Sequence, residues 1–172
     1  MRPSQEAEYR EFVASNMASL RRFGYLVCGD WHRAEDAVQT VFVKLYTDWN
    51  KAQRRAIGPY SRRMVVNALH DIHRRGWFRR ERTKEAVPDV APPLPTDDSD
   101  ERIVLLDALA KLPVRRRATL VLRYWEDHTV EETAQIMGCS VSTVKSQTAK
   151  ALRTLRELLP DPVHEHLEGV PS

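Results

Sequence analysis

Between Thr129 and Ala151 the chain sets Ala134, Gly138 and Val144 at intervals of four and six residues, and this spacing leaves few ways to fold. Two helices that cross closely need a small residue where they touch, which Ala134 supplies. The turn between them needs a residue that accepts positive φ, which Gly138 supplies, and Val144 gives the second helix a β-branched anchor pointing inward. Thr129 followed by Glu132 reads as a capping box for the first helix, and Ser140 reads as the N-cap of the second. The element predicted is a helix-turn-helix that reads duplex DNA. An αα-hairpin with a solvated basic face has the same periodicity, and the motif by itself leaves that alternative open.

At about 100° per residue, Val141, Val144, Thr148, Ala151, Leu152 and Leu155 share one side of the second helix. Ser142, Thr143, Ser146, Ala149, Lys150 and Arg153 share the other. A face that is small, polar and basic suits a helix that enters a major groove and meets phosphates at its rim.

Charge divides the rest of the chain. From Lys51 to Lys84 arginine and lysine far outnumber Asp71 and Glu81, whereas Glu85 to Glu101 is acidic with no basic residue. The acidic stretch also carries Pro88, Pro92, Pro93 and Pro95 with little to bury, so it reads as an extended, flexible linker. Hydrophobic residues on both sides recur at helical intervals: Leu20 and Phe23, then Val38, Val41 and Leu45, then Ile103, Leu106 and Leu109. The class expected is all-α: two small helical domains, 8–84 and 101–159, joined by an acidic Pro-rich linker, 85–100, with the second ending in the helix-turn-helix. A first helix is expected around Phe12 to Leu26, a second from Ala34 towards Trp49, and a third opened by Gly58 and Pro59. The tail, 160–172, is stopped from continuing the last helix by Pro160 and Pro162 and reads as disordered.

Several functions lack their residues. Cys28 and Cys139 are far apart, with no second cysteine or histidine at metal-ligand spacing, and read as buried small hydrophobes. The pairs His70/His73 and His164/His166 have no supporting ligands, so neither a metal nor a cofactor is expected. There is no phosphate loop and no Ser/His/Asp set, so the chain is not expected to be an enzyme. No apolar run reaches bilayer length and residues 1–9 are polar, so no membrane insertion and a cytoplasmic location are expected.

The third helix carries a polar stripe of Arg63, Asn67, His70 and Arg74 opposite Val65 and Leu69. Two cations around an amide and an imidazole can hold phosphates while offering donors and acceptors to bases, although a solvated face would look alike. Tyr60, and Trp49 with Asn50 in the preceding loop, add groups on which an unpaired base could stack or bond; Trp49 could equally be core. On the second helix Glu35, Asp36 and Gln39 lie off the apolar side. Stabilisation of a first helical turn accounts for the two acids, and docking to a basic protein surface accounts for the set.

The order Asp30-x-x-x-Ala34-Glu35-Asp36-Ala37-x-Gln39-x-x-Phe42, then Pro59-Tyr60 leading a basic helix with Asn67, then a Pro-rich linker and a terminal helix-turn-helix, resembles the extracytoplasmic-function sigma factors of bacterial RNA polymerase. Its size and arginine preference are similar to the actinobacterial SigE-like subgroup. The resemblance spans about Phe12 to Leu158 and implies a factor that binds core polymerase and recognises −35 and −10 promoter elements. By that resemblance Glu35, Asp36 and Gln39 meet the polymerase, whose β′ coiled coil and β flap are the implied contacts. Asn50 and the loop around it capture a flipped base, and the helix from Tyr60 to Arg74 melts and reads the −10 element. Lys145, Ser146 and Lys150 fall where the −35 element is read, and Ala149 is smaller than in several relatives, so the −35 preference does not transfer. An anti-sigma factor is a further implied partner. A freestanding helix-turn-helix activator or repressor is the alternative, and it leaves the basic and acidic helices before Glu85 unexplained. A resolvase-like enzyme would need an α/β domain that the helical pattern does not offer.

Overall fold

The computed structural model describes residues 1–80 and 100–159, and the side chains of all of these but 77–80. The expected tail and all of the expected linker except Asp100 lie outside them. The chain divides into two compact units, Met1–Ala91 and Pro92–Ser172. Regular structure among the described residues is entirely helical.

In the first unit α1 (Pro3–Cys28) turns into α2 (Trp31–Thr47), followed by a short α3 (Trp49–Gln53) and a long α4 (Ile57–Arg80). Gly29 makes the first turn at φ 73°, its N–H donating to Tyr25 O, and Asp30 caps α2 by accepting from the Arg33 N–H at 3.1 Å. Gly24 lets the two helices touch, since a Cβ there would lie 3.1 Å from Ala34 Cβ. Leu20, Phe23 and Val27 of α1, Ala37, Val38, Val41 and Leu45 of α2, and Val65, Val66 and Leu69 of α4 are all at most 2% exposed. Fully burying the Val, Leu and Phe side chains among these contributes about 1.5–3 kcal/mol each, so the apolar faces, not helix propensity, hold the unit.

Two sequence expectations change here. The first helix starts at Pro3, nine residues before Phe12, because Tyr9 anchors the extra turns. Its hydroxyl donates to Phe42 O at 3.0 Å and its ring meets Tyr46 and Trp49 edge-on at 5.2 and 5.3 Å. Trp49, considered for base stacking in a loop, is instead 4% exposed and opens α3, packed among Tyr9 and Phe12. This aromatic cluster fixes α3 against the start of α1.

The second unit comprises α5 (Asp100–Ala110), α6 (Val114–Leu120) running on as a π-helical turn (Val121–Trp125), α7 (Val130–Met137) and α8 (Val141–Leu158). Its core joins Ala108, Leu109 and Leu112 to Leu120 and to Ala151, Leu152, Leu155 and Leu159. The π turn closes by Glu126 N–H donating to Val121 O at 3.0 Å, and Asp127 follows at φ 54°, which swings the chain into α7. Neither cysteine is in a disulfide, and both are half-buried, not core: Cys28 ends α1, where its thiol reaches Asp30 O at 3.2 Å, and Cys139 follows the Gly138 turn. Burial pushes the Cys139 thiol up from its ordinary range.

Candidate nucleic-acid interface

In the second unit α7 and α8 realise the helix-turn-helix. The Glu132 N–H donates to Thr129 Oγ1 at 3.1 Å and the Thr129 N–H donates back to Glu132 Oε2 at 2.8 Å, completing the capping box. That backbone N–H holds the Glu132 carboxyl below its usual range. Gly138 turns the chain at φ 66°, and Ser140 Oγ accepts from the Thr143 N–H at 3.1 Å to start α8. Val144, Thr148, Ala151, Leu152 and Leu155 are buried. Ser142, Thr143, Lys145, Ser146, Ala149, Lys150 and Arg153 are all exposed, on the opposite side. The face is thus free of core duties and combines small polar residues with the cations Lys145, Lys150 and Arg153.

The sequence reading passed over Arg115, Arg116 and Arg117, whose run after Pro113 was the available signal. The structure sends them three ways. Arg117 is 2% exposed and belongs to the core. Arg116 Nε donates to Gln147 Oε1 at 3.2 Å, which ties α6 to α8. Arg115 is exposed, and its charge acts on Cys139 in the turn, so a cation stands near the start of α8.

In the first unit α4 exposes Arg63, Asn67 and Arg74, with His70 half-buried at the edge of the same stripe. Ser61 faces the interior, its hydroxyl donating to Gly58 O at 2.8 Å. Tyr60 is half-buried, and the Arg55 guanidinium lies 4.8 Å from its ring centroid. A base stacking there would have to displace or share that cation. Asn50 is exposed on α3 and accepts a hydrogen bond from Gln5 Nε2 of α1; Gln53 Nε2 similarly donates to Glu8 Oε2.

The three α2 residues do not behave alike. Asp36 and Gln39 are exposed, with Thr40, Val43 and Tyr46 exposed along the same side. Glu35 is instead paired with Arg21 of α1 at 2.7 Å. Because α2 begins at Trp31, Glu35 and Asp36 sit beyond its first turn, where the helix dipole has little hold on them. The dipole therefore does not account for Asp36, and the described structure gives it no packing role.

Residues 12–79 match the family Sigma-70 region 2, and residues 102–155 match Sigma-70, region 4. Over 157 residues the chain is 35% identical to the RNA polymerase sigma-E factor of Streptomyces avermitilis, which covers 88% of this chain and 85% of that one. Identity to the sigma-E factor of Streptomyces coelicolor is 34%, with 88% and 86% covered. The ECF RNA polymerase sigma factor SigL of Mycobacterium tuberculosis is 25% identical, with 89% of each chain covered. Among solved structures, the sigma factor RpoE from Bartonella quintana, crystallised with the anti-sigma factor NepR, aligns with a TM-score of 0.67 at 20% identity. That alignment covers 88% of this chain and 96% of RpoE, a likeness of fold.

Proposed function

The chain belongs to the sigma-70 family of RNA polymerase sigma factors, and on that premise we propose how its residues divide the work of promoter recognition. It is an alternative sigma factor of the extracytoplasmic-function type, which binds core polymerase and directs promoter-specific transcription while the polymerase performs the chemistry. The exposed face of α8 reads the −35 element: Lys145, Lys150 and Arg153 meet phosphates or base edges, and Ser142, Thr143, Ser146 and Ala149 fit the groove. On the first unit Arg63, Asn67, His70 and Arg74 meet the −10 element, Tyr60 lies at its edge, and Asn50 captures a flipped base. Asp36 and Gln39 dock on the β′ coiled coil, with Glu35 steadying α2 through Arg21. The second unit meets the β flap, and an anti-sigma factor competes for these surfaces. Such a factor works where polymerase works, in the bacterial cytoplasm. Among the described residues no helix is long and apolar enough to cross a membrane.

The observation that carries this reading is the sorting of α8, where every residue assigned to DNA is exposed while Val144, Ala151, Leu152 and Leu155 are buried on the other side. Lys150→Ala should weaken holoenzyme binding to promoter DNA and reduce the slope of log K against log salt by about one charge. An unchanged slope removes Lys150 from the phosphate contacts. Asn67→Ala should slow opening of the −10 region by roughly tenfold, about the worth of one lost hydrogen bond to a base, while closed-complex affinity stays near wild type. Permanganate reactivity of −10 thymines that matches the wild type would take Asn67 out of strand opening.

A further inference from the structure

The first turns of α1 and the short α3 enclose an open cavity of about 700 Å³ lined by Met1, Arg2, Gln5, Asn50, Gln53 and Arg54. Its wall is polar, and Arg2 and Arg54 stand on it as cations able to hold phosphates beside a base. A chain of hydrogen bonds crosses it. The Arg2 backbone N–H donates to Gln5 Oε1 at 3.0 Å, and Gln5 Nε2 donates to Asn50 Oδ1.

Amide side chains usually leave their orientation undetermined, since oxygen and nitrogen can be exchanged by a flip. Here the exchange is blocked. A backbone N–H can only donate, so Gln5 must turn its oxygen to Arg2 and its NH₂ to Asn50. Asn50 must then offer its oxygen to Gln5, which leaves its own NH₂ for a ligand. We propose that Gln5 is a specificity-positioning residue: it locks the Asn50 amide with its donors facing the cavity, so that a flipped nucleobase is selected by an acceptor atom on its edge. Gln5 lies 45 residues from Asn50 in sequence and outside the region 2 match, which begins at residue 12. The proposal extends the base-capture role given to Asn50 and stands on it.

Gln5→Glu tests it. A carboxylate keeps the bond from the Arg2 N–H but can no longer donate to Asn50; it accepts from the Asn50 NH₂ instead and turns Oδ1 toward the cavity. The ligand-facing atom changes from donor to acceptor with little change of shape. Holoenzyme made with each variant would be assayed on promoters randomised through the −10 element, with initiating sequences read out. At one −10 position Gln5→Glu should raise the preference for amino-bearing bases, adenine, cytosine or guanine, over thymine by roughly fivefold, the scale of one hydrogen bond. Gln5→Ala should flatten the preference at that position, and the remaining −10 and −35 positions should keep theirs, which shows the protein folded. In an Asn50→Ala background Gln5→Glu should have no effect.

If Asn50→Ala flattens one position while Gln5→Glu leaves it as in wild type, Gln5 has no positioning role and the base-capture reading stands. If Asn50→Ala leaves every position unchanged, the capture reading falls and the proposal falls with it. A Gln5→Glu effect that persists in Asn50→Ala would also overturn it, because Gln5 would then act without Asn50.

Discussion

Asp36→Arg is expected to abolish promoter-directed transcription by reconstituted holoenzyme while leaving the chain folded. Asp36 is exposed on α2, so the exchange should alter stability by no more than about 0.5 kcal/mol. At a docking surface of opposite charge, reversal places like charges together, and that costs several kcal/mol, on the order of 10²- to 10³-fold in affinity. Glu35→Gln serves as a contrast. Its carboxylate is paired with Arg21 and both partners are about two-fifths exposed, so losing the pair should cost at most about 1 kcal/mol and spare transcription. Titration of labelled core polymerase with each variant separates the two; equal affinity of Asp36→Arg and wild type would remove α2 from the docking surface.

Val144→Asp should have the opposite character, destroying the second unit, and with it the β-flap contact, while leaving the docking of α2 on the β′ coiled coil untouched. Val144 is 1% exposed where α8 faces the core, and an unpaired carboxylate there should cost about 4 kcal/mol or more. A helical domain of about 60 residues has roughly 3–9 kcal/mol of stability in all, so the exchange should remove from about half to all of it. Circular dichroism should show loss of helix, and −35 protection should vanish. Ser146→Asp, at an exposed position two residues on, should keep the helical signal and lose the DNA contact. A Val144→Asp chain with wild-type helix content and melting would contradict the packing described here.

Local chemistry explains what could be read from the sequence. The helix-turn-helix was legible because capping, the Gly138 turn and the apolar spacing all act within a few residues, and all three are present in the structure. The α4 stripe was legible for the same reason at Arg63, Asn67 and Arg74, which are exposed, whereas His70, expected fully among them, is half-buried at its edge. Contacts between distant segments left no such trace. Nothing near Trp49 distinguishes a stacking platform from a core residue until Tyr9 and Phe12 close on it. The Glu35–Arg21 pair, the division of Arg115, Arg116 and Arg117 among solvent, Gln147 and core, and the Gln5–Asn50 bond likewise depend on which helices meet. The π turn before α7 was hidden too, because Val121 to Trp125 continues an apolar helical pattern without a break.

The central claim is that this chain selects promoters only as part of polymerase, its two DNA-reading units gaining avidity when both engage together. Mapping the 5′ ends of transcripts made by core polymerase with and without the chain tests this most directly, alongside footprinting by the chain alone on the same DNA. The account predicts new, defined start sites downstream of a paired −35 and −10 sequence only when core and chain are combined, with weak and poorly selective protection by the chain alone. Tight, sequence-specific protection by the chain alone, with no new start sites when core is added, would contradict it.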